Sequence, residues 1–177
     1  IISHPVWGWI HPLSLLNNNE NNNGNINLKV LSIIKFIDKF NSIKGYKFIK
    51  MVLIIDNYDS FTYNIYQYAG QFSPDLKVIK NDKISIQELK KIEIEKIIIS
   101  PGPGHPKDSK VSLDCIKKLS QKIPILGICL GHQAIGVSFG SKIVNSNQIV
   151  HGKTSMIKHN NCKLFKGLKN PFEATRY

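Results

Sequence analysis

Pro124-Ile125-Leu126-Gly127-Ile128-Cys129-Leu130-Gly131-His132-Gln133 decides the fold. An apolar run ends at Gly-x-Cys-x-Gly and passes straight into a helix-like segment. A strand–turn–helix of this kind presents its cysteine on a tight elbow, with the sulfur exposed at the N-terminus of the following helix. The positive partial charge at that terminus favours thiolate over thiol. A lone cysteine after an apolar strand is ordinarily a small buried hydrophobe. Gly127 and Gly131 argue otherwise here, because they remove side chains on both sides of Cys129, which a packing cysteine does not need. Cys129 therefore reads as a nucleophile.

Working outward from the elbow, strands and helices alternate. Met51–Asp56 is a continuous apolar strand ending in a carboxylate. Phe61, Ile65, Tyr68, Ala69 and Phe72 then fall at helical spacing, with Ser60 or Asp59 as N-cap. Leu76–Lys80 reads as a strand, Ser85–Lys91 as a short helix and Lys96–Ser100 as a strand. Val111, Cys115, Ile116 and Leu119 form a second helical stripe. Ile123–Gly127 is the strand before the elbow, and Leu130–Phe139 a helix closed by Gly140. Short strands are expected at Ser141–Val144, Gln148–His151 and Ser155–Lys158. Apolar strands alternating with helices predict an α/β fold, with a parallel sheet covered on both faces. Sites in such sheets gather at the carboxyl ends of the strands. Asp56, the Ser100–Gly104 loop and Cys129 all fall there.

The first 50 residues differ in kind. They hold an Asn-rich tract from Asn17 to Asn27 and an apolar piece, Val30 to Phe40, with no cap. Ile1–Leu16 lacks a basic leader and is interrupted by Pro5 and Pro12, unlike a signal peptide. Residues 1–50 are read as a low-complexity extension outside the domain, and residues 51–177 as the domain itself. Formal net charge is +12, but Arg176 is the only arginine and the lysines are scattered without aromatic interleaving. That pattern argues against a nucleic-acid partner. Abundant Lys, Asn and Ile fit an AT-rich coding sequence instead. The apolar runs are too short to span a membrane. Cys115, Cys129 and Cys162 are too few for a disulfide framework, and no Cys/His set has zinc spacing. A reducing compartment is the natural expectation, and no metal or cofactor is expected.

Ser100-Pro101-Gly102-Pro103-Gly104-His105-Pro106 follows a buried strand. Most Pro-Gly stretches are stiff turns. A phosphate loop would end in Gly-Lys-Ser/Thr, which is missing. Beside a cysteine elbow, the better reading is an oxyanion hole, with one amide from Gly102 and the other from Leu130, just after the nucleophile.

Taken together, Gly-Ile-Cys-Leu-Gly-His-Gln, Ser-Pro-Gly-Pro-Gly and Asp56-Asn57-Tyr58-Asp59-Ser60-Phe61-Thr62-Tyr63-Asn64 resemble the class I glutamine amidotransferases. The Asp-Asn-Tyr-Asp-Ser-Phe-Thr start and His151-Gly152-Lys153-Thr154-Ser155 resemble the glutaminase subunit (component II) of anthranilate synthase and its relative in para-aminobenzoate synthesis. Leu164–Leu168 and Pro171–Tyr177 also look like that subfamily. The resemblance covers Met51–Tyr177 and implies a flavodoxin-like fold.

It also implies a chemistry. Cys129 would attack the side-chain amide of L-glutamine, and a glutamyl thioester would form and be hydrolysed. Ammonia would pass to a chorismate-binding synthase subunit (component I) in the tryptophan pathway. Gly102, Pro103 and Gly104 match the family's glutamine-contact loop, Leu130 the second oxyanion amide, and Gln133 the glutamine-binding position on the helix. The family's catalytic His and Glu, in a His-Pro-Glu motif, and a glutamine-contacting Ser-Leu pair are expected beyond Tyr177. The chain is thus read as C-terminally truncated. His132 resembles a packed helix residue of the family rather than the base, and His105, His151 and His159 read as loop or surface residues. The alternatives are the same role in para-aminobenzoate synthesis, or a non-catalytic docking module that keeps the fold. A chloroplast is the expected compartment if the gene is plastid-borne, with the cytoplasm otherwise.

Overall fold

The apolar runs assemble into a parallel sheet whose order, β2-β1-β3-β4, brings the first and third strands side by side at its centre. The computed structural model describes residues 51–144, 150 and 152–176. The expected strand Gln148–His151 lies outside them apart from Val150. The described residues fall into two compact units, divided after Val144.

In the first unit the strands are β1 (Met51–Asp56), β2 (Leu76–Lys80), β3 (Ile94–Ile99) and β4 (Ile125–Gly127). The helices are α1 (Thr62–Gly70), α2 (Ile86–Leu89), α3 (Lys110–Leu119) and α4 (Leu130–Ser138). The central strands β1 and β3 are buried almost throughout, whereas β2 and β4 at the edges are only partly covered. Burial on both faces is why the central pair carries the apolar runs Val52–Ile55 and Ile97–Ile99.

Alternate residues of these strands point to opposite faces. Leu53, Ile55, Ile97 and Ile99 form one core with Ile86 and Leu89 of α2, Val111, Cys115, Ile116 and Leu119 of α3, and Ala134 of α4. Val52, Ile54 and Ile98 are also buried and have the opposite parity. Truncating one such aliphatic side chain to Ala costs roughly 2–5 kcal/mol. That is a large part of the ~5–15 kcal/mol by which domains are stable. Lys96 is buried within β3, its ammonium 3.0 Å from the Glu95 carboxylate.

Several boundaries differ from the sequence expectation. The helix α1 begins at Thr62 with Phe61 at its N-cap, rather than Ser60 or Asp59. Asp59 still serves the turn, because its carboxylate accepts the Phe61 amide at 2.8 Å. Ser85 caps α2 through a reciprocal box with Glu88. Strand β4 starts two residues later than expected, because the Ile123 amide donates to Leu119 as α3 winds to its end. Ser141–Val144 is not a strand. Gly140 takes a left-handed φ of 89°, its amide donates to Val137, and the Ser141 amide donates to Gly136. That pair of hydrogen bonds closes α4 in a Schellman motif, so Ser141 belongs to a helix cap.

The second unit holds an antiparallel pair, β5 (Lys153–Ile157) with β6 (Phe172–Arg176), in the register Ile157↔Phe172. The sequence placed the first of these at Ser155–Lys158 and did not place the second. His159 lies tilted against Phe165 with centroids 4.9 Å apart, and its Nε2 lies 3.0 Å from the Lys169 carbonyl.

Candidate active site

Strand β4 delivers the chain to the carboxyl edge of the sheet, and the Ile128 amide extends the ladder by donating to the Ile99 carbonyl at 3.0 Å. The chain then turns within one residue. Cys129 has φ 53° and ψ −109°, a region that residues with side chains rarely occupy. Such a conformation costs on the order of 1–3 kcal/mol and persists only when its surroundings dictate it. Here they do. The Gly131 amide donates to the Ile128 carbonyl and the Gln133 amide to the Cys129 carbonyl, both at 3.0 Å. Cys129 is therefore held by the sheet on one side and by the first turn of α4 on the other.

The two flanking glycines make this approach possible. A Cβ on Gly127 would lie 2.4 Å from the Gly131 backbone, and one on Gly131 would lie 2.4 Å from the Ile99 carbonyl oxygen. The start of α4 thus sits directly on β3 and β4, which leaves no room for side chains. Gln133 lies in the first turn of α4, four residues after Cys129.

The Ser100–Gly104 loop leaves β3 next to this elbow. A Cβ on Gly102 would lie 2.9 Å from Leu130 Cδ2 and 2.6 Å from both Cβ and the carbonyl oxygen of Asn57. Gly102 and Leu130, the two residues expected to supply oxyanion amides, are therefore in contact. Among the described residues, neither of their N–H groups is engaged in a backbone hydrogen bond. The structure brings together Cys129, Leu130 and Gly102, with Gln133 one helical turn above. Pro103 borders a cavity of about 250 Å³ beside the elbow, walled also by Asn57, Tyr58, Asn81, His105 and Leu130. Gly104 is exposed, with a left-handed φ of 77°.

Sequence reasoning missed Asn57. It is 3% exposed. Its amide N–H donates to Ser100 Oγ at 2.9 Å, and its Nδ2 donates to the Ser100 carbonyl at 3.0 Å. Its Oδ1 accepts from Asn81 Nδ2 at 2.9 Å and from Ser112 Oγ at 3.0 Å. The one local signal was an amide side chain directly after a buried strand, where a polar group must find partners. Asp56 does something different. Its Oδ1 accepts from Thr62 Oγ1 at 2.8 Å and from the Asp59 amide at 3.1 Å, tying α1 to the end of β1.

The other titratable groups have structural work. His105 Nδ1 accepts the Lys107 amide at 3.1 Å and caps the turn Pro106–Asp108. His132 is exposed on α4 rather than packed, and partial desolvation holds its pKa below its ordinary value. Tyr58 donates its hydroxyl to Asp82 at 2.7 Å, and that bond holds its phenol above its usual pKa. Burial pushes the Cys115 thiol up to about 12, so it is an unreactive packing group. Cys162 is exposed. His151 lies outside the described residues.

Known proteins match this arrangement. The glutamine amidotransferase class-I family profile covers residues 53–177. The anthranilate synthase component 2 of Pyropia yezoensis is 58% identical over 127 residues, 72% of this chain and 67% of that protein. The aminodeoxychorismate/anthranilate synthase component 2 of Bacillus subtilis is 50% identical over 127 residues, 72% of this chain and 66% of that one. Among solved structures, a protein of Thermoplasma acidophilum described as a GMP synthase subunit superposes with a TM-score of 0.57 at 25% identity, covering 72% of this chain and 64% of that one. The chain spans about two thirds of the length of each of these relatives.

Proposed function

This chain belongs to the class-I glutamine amidotransferase family, and on that premise we propose that it hydrolyses L-glutamine at Cys129 and supplies ammonia to a chorismate-aminating synthase subunit. The Cys129 sulfur attacks the side-chain amide carbon. The carbonyl oxygen takes up negative charge, which the Gly102 and Leu130 amides receive. The carbon–nitrogen bond breaks, the nitrogen takes up the proton given up by the Cys129 thiol and leaves as ammonia, and a glutamyl thioester remains. Water cleaves the thioester and releases glutamate. Gln133 and the Gly102–Gly104 loop hold the amino-acid end of the substrate.

One observation carries this reading: the strained cysteine elbow lies against Gly102 through Leu130. A packing cysteine has no use for a backbone strained by about 1–3 kcal/mol. The relatives' names support anthranilate as the product of the partner reaction. A second reading, the para-aminobenzoate branch, is favoured by the Bacillus subtilis relative, whose name carries both activities.

A glutamine-analogue electrophile tests the proposal. It should label Cys129 and spare Cys115, with Cys162 slow, as read by peptide mass spectrometry. Equal labelling of Cys129 and Cys162 would remove the case for a special site. It would favour a non-catalytic docking module.

A further inference from the structure

We propose that Asn57 is the positioning residue that sets the oxyanion loop, an inference that rests on the glutaminase reading above. Asn57 lies where the sheet order reverses, between the carboxyl ends of β1 and β3. Its side chain and amide join segments far apart in sequence. Ser100, 43 residues away, begins the loop, and Ser112, 55 residues away, sits on α3. Asn81, at the end of β2, completes the set. Three of these four bonds use the side-chain amide group, and the fourth uses the backbone N–H of the same residue.

The connection to the reacting centre is direct. Asn57 holds both the hydroxyl and the carbonyl of Ser100, and the Ser100 hydroxyl donates to the Pro101 carbonyl at 2.6 Å. Gly102 follows at once and lies against Asn57, so closely that a Cβ would sit 2.6 Å from it. Asn57 thus fixes the loop by hydrogen bonds at its first residue and by contact at its third. The position of the Gly102 N–H follows from those restraints. An oxyanion donor acts only if it is aimed before charge develops, and a misplacement of about 1 Å costs on the order of 10² in rate. A buried carboxamide suits this role because it is both donor and acceptor and carries no charge to desolvate. An aspartate would set a carboxylate oxygen against the Ser100 carbonyl.

A structural role alone would lower stability and disturb the whole site, whereas a positioning role moves only the step in which an oxyanion forms. Two reactions of Cys129 separate these. Glutamine turnover passes through a tetrahedral oxyanion. Alkylation by iodoacetamide is a displacement at a saturated carbon and forms none. In the subunit extended through the expected catalytic His and Glu, the experiment measures kcat and KM for glutamine in the presence of the synthase partner, and the alkylation rate of Cys129 by peptide mass spectrometry. Asn57→Ala should lower kcat by about 30-fold or more, with KM and the alkylation rate within about threefold of the parent. Asn57→Asp should lose at least as much. Ser112→Ala, which removes one bond at the outer end of the network, gives the answer if Asn57→Ala does not fold. It should lower kcat by about three- to tenfold and leave alkylation unchanged. Loss confined to KM, a parallel fall in alkylation, or an undiminished kcat in the folded variants would overturn the proposal. Failure of the subunit extended through the expected catalytic His and Glu to turn over glutamine would instead overturn the glutaminase reading, and it would be seen before any variant is compared.

Discussion

Replacing Gly102 with Ala adds one methyl group to the oxyanion loop, and the surroundings dictate the result. The new Cβ would lie 2.6 Å from Asn57 Cβ, 2.6 Å from the Asn57 carbonyl oxygen and 2.9 Å from Leu130 Cδ2. Carbon atoms in contact prefer about 3.5–4.0 Å, so the overlap is roughly 1 Å. Leu130 Cδ2 can swing aside. Asn57 cannot, because it is buried and bonded to Ser100, Asn81 and Ser112. The loop must therefore move by something near the full overlap, carrying the Gly102 N–H with it. Removing one oxyanion donor costs about 10²–10³ in kcat, or ~2.7–4 kcal/mol of transition-state stabilisation. We expect glutamine-dependent amination to fall ~10²-fold or more, while amination with free ammonia, which bypasses Cys129, stays at the parent rate. Gly140→Ala is the control for strain without a clash. It has φ 89° and nothing within 4 Å of its Cβ, so it should cost ~1–2 kcal/mol of stability and leave both activities alone. Parallel loss of both activities in Gly102→Ala would refute the reasoning, as would a loss in Gly140→Ala equal to that in Gly102→Ala.

Gly131→Ala should do more general damage, because its Cβ would meet the Ile99 carbonyl oxygen at 2.4 Å. Overpacking of this kind costs about 1–3 kcal/mol or more, so the thermal midpoint should fall along with glutamine turnover, and an unchanged midpoint would mean that the elbow yields. His132 makes a prediction about pH. Partial desolvation holds its folded pKa below the unfolded value of about 6.5, so below that value the unfolded chain binds more protons than the native one. The stabilisation is complete above the unfolded pKa and is lost as pH falls through the folded one. His132→Gln should flatten the fall in thermal midpoint as pH drops below about 6.5. Identical slopes for the two proteins would show that His132 is not the group responsible.

The central strands were legible because burial on both faces leaves an unmixed apolar signal, as in Ile97-Ile98-Ile99. The elbow was legible because both its causes lie within five residues: two glycines for close approach and a cysteine between them. The helix end at Gly140 was legible for the same reason. Ser141–Val144 misled because Ile143 and Val144 have the chemistry of a strand, while the Ser141 amide is already committed to the Gly136 carbonyl. Ile123 misled in the same way, since its amide belongs to the end of α3.

Asn57 was hidden for a different reason, and the difference bears on how such a site is built. Each of its side-chain partners comes from another segment of the sheet or of α3, and no local period records them. The sequence displays the groups placed to meet substrate, because their backbone demands are local: a strained cysteine, glycines and prolines that stiffen a loop. It does not display what aims them. A loop that leaves β3 through Ser100-Pro101 could point the Gly102 amide in several directions, and proline stiffness alone chooses none of them. The choice is made where β1 and β3 end side by side. Parallel strands at a change of winding direction leave a crevice there, and a polar residue just past one strand end can bond one just past its neighbour, as Asn57 does to Ser100. The buried sheet thus fixes the heights of the two strand ends, and one carboxamide passes that fixed geometry on to the oxyanion loop. On this account the accuracy of the site depends on the packing of Ile55 and Ile99, the paired residues just before Asp56 and Ser100. It does not depend on the exposed end of the loop at Gly104.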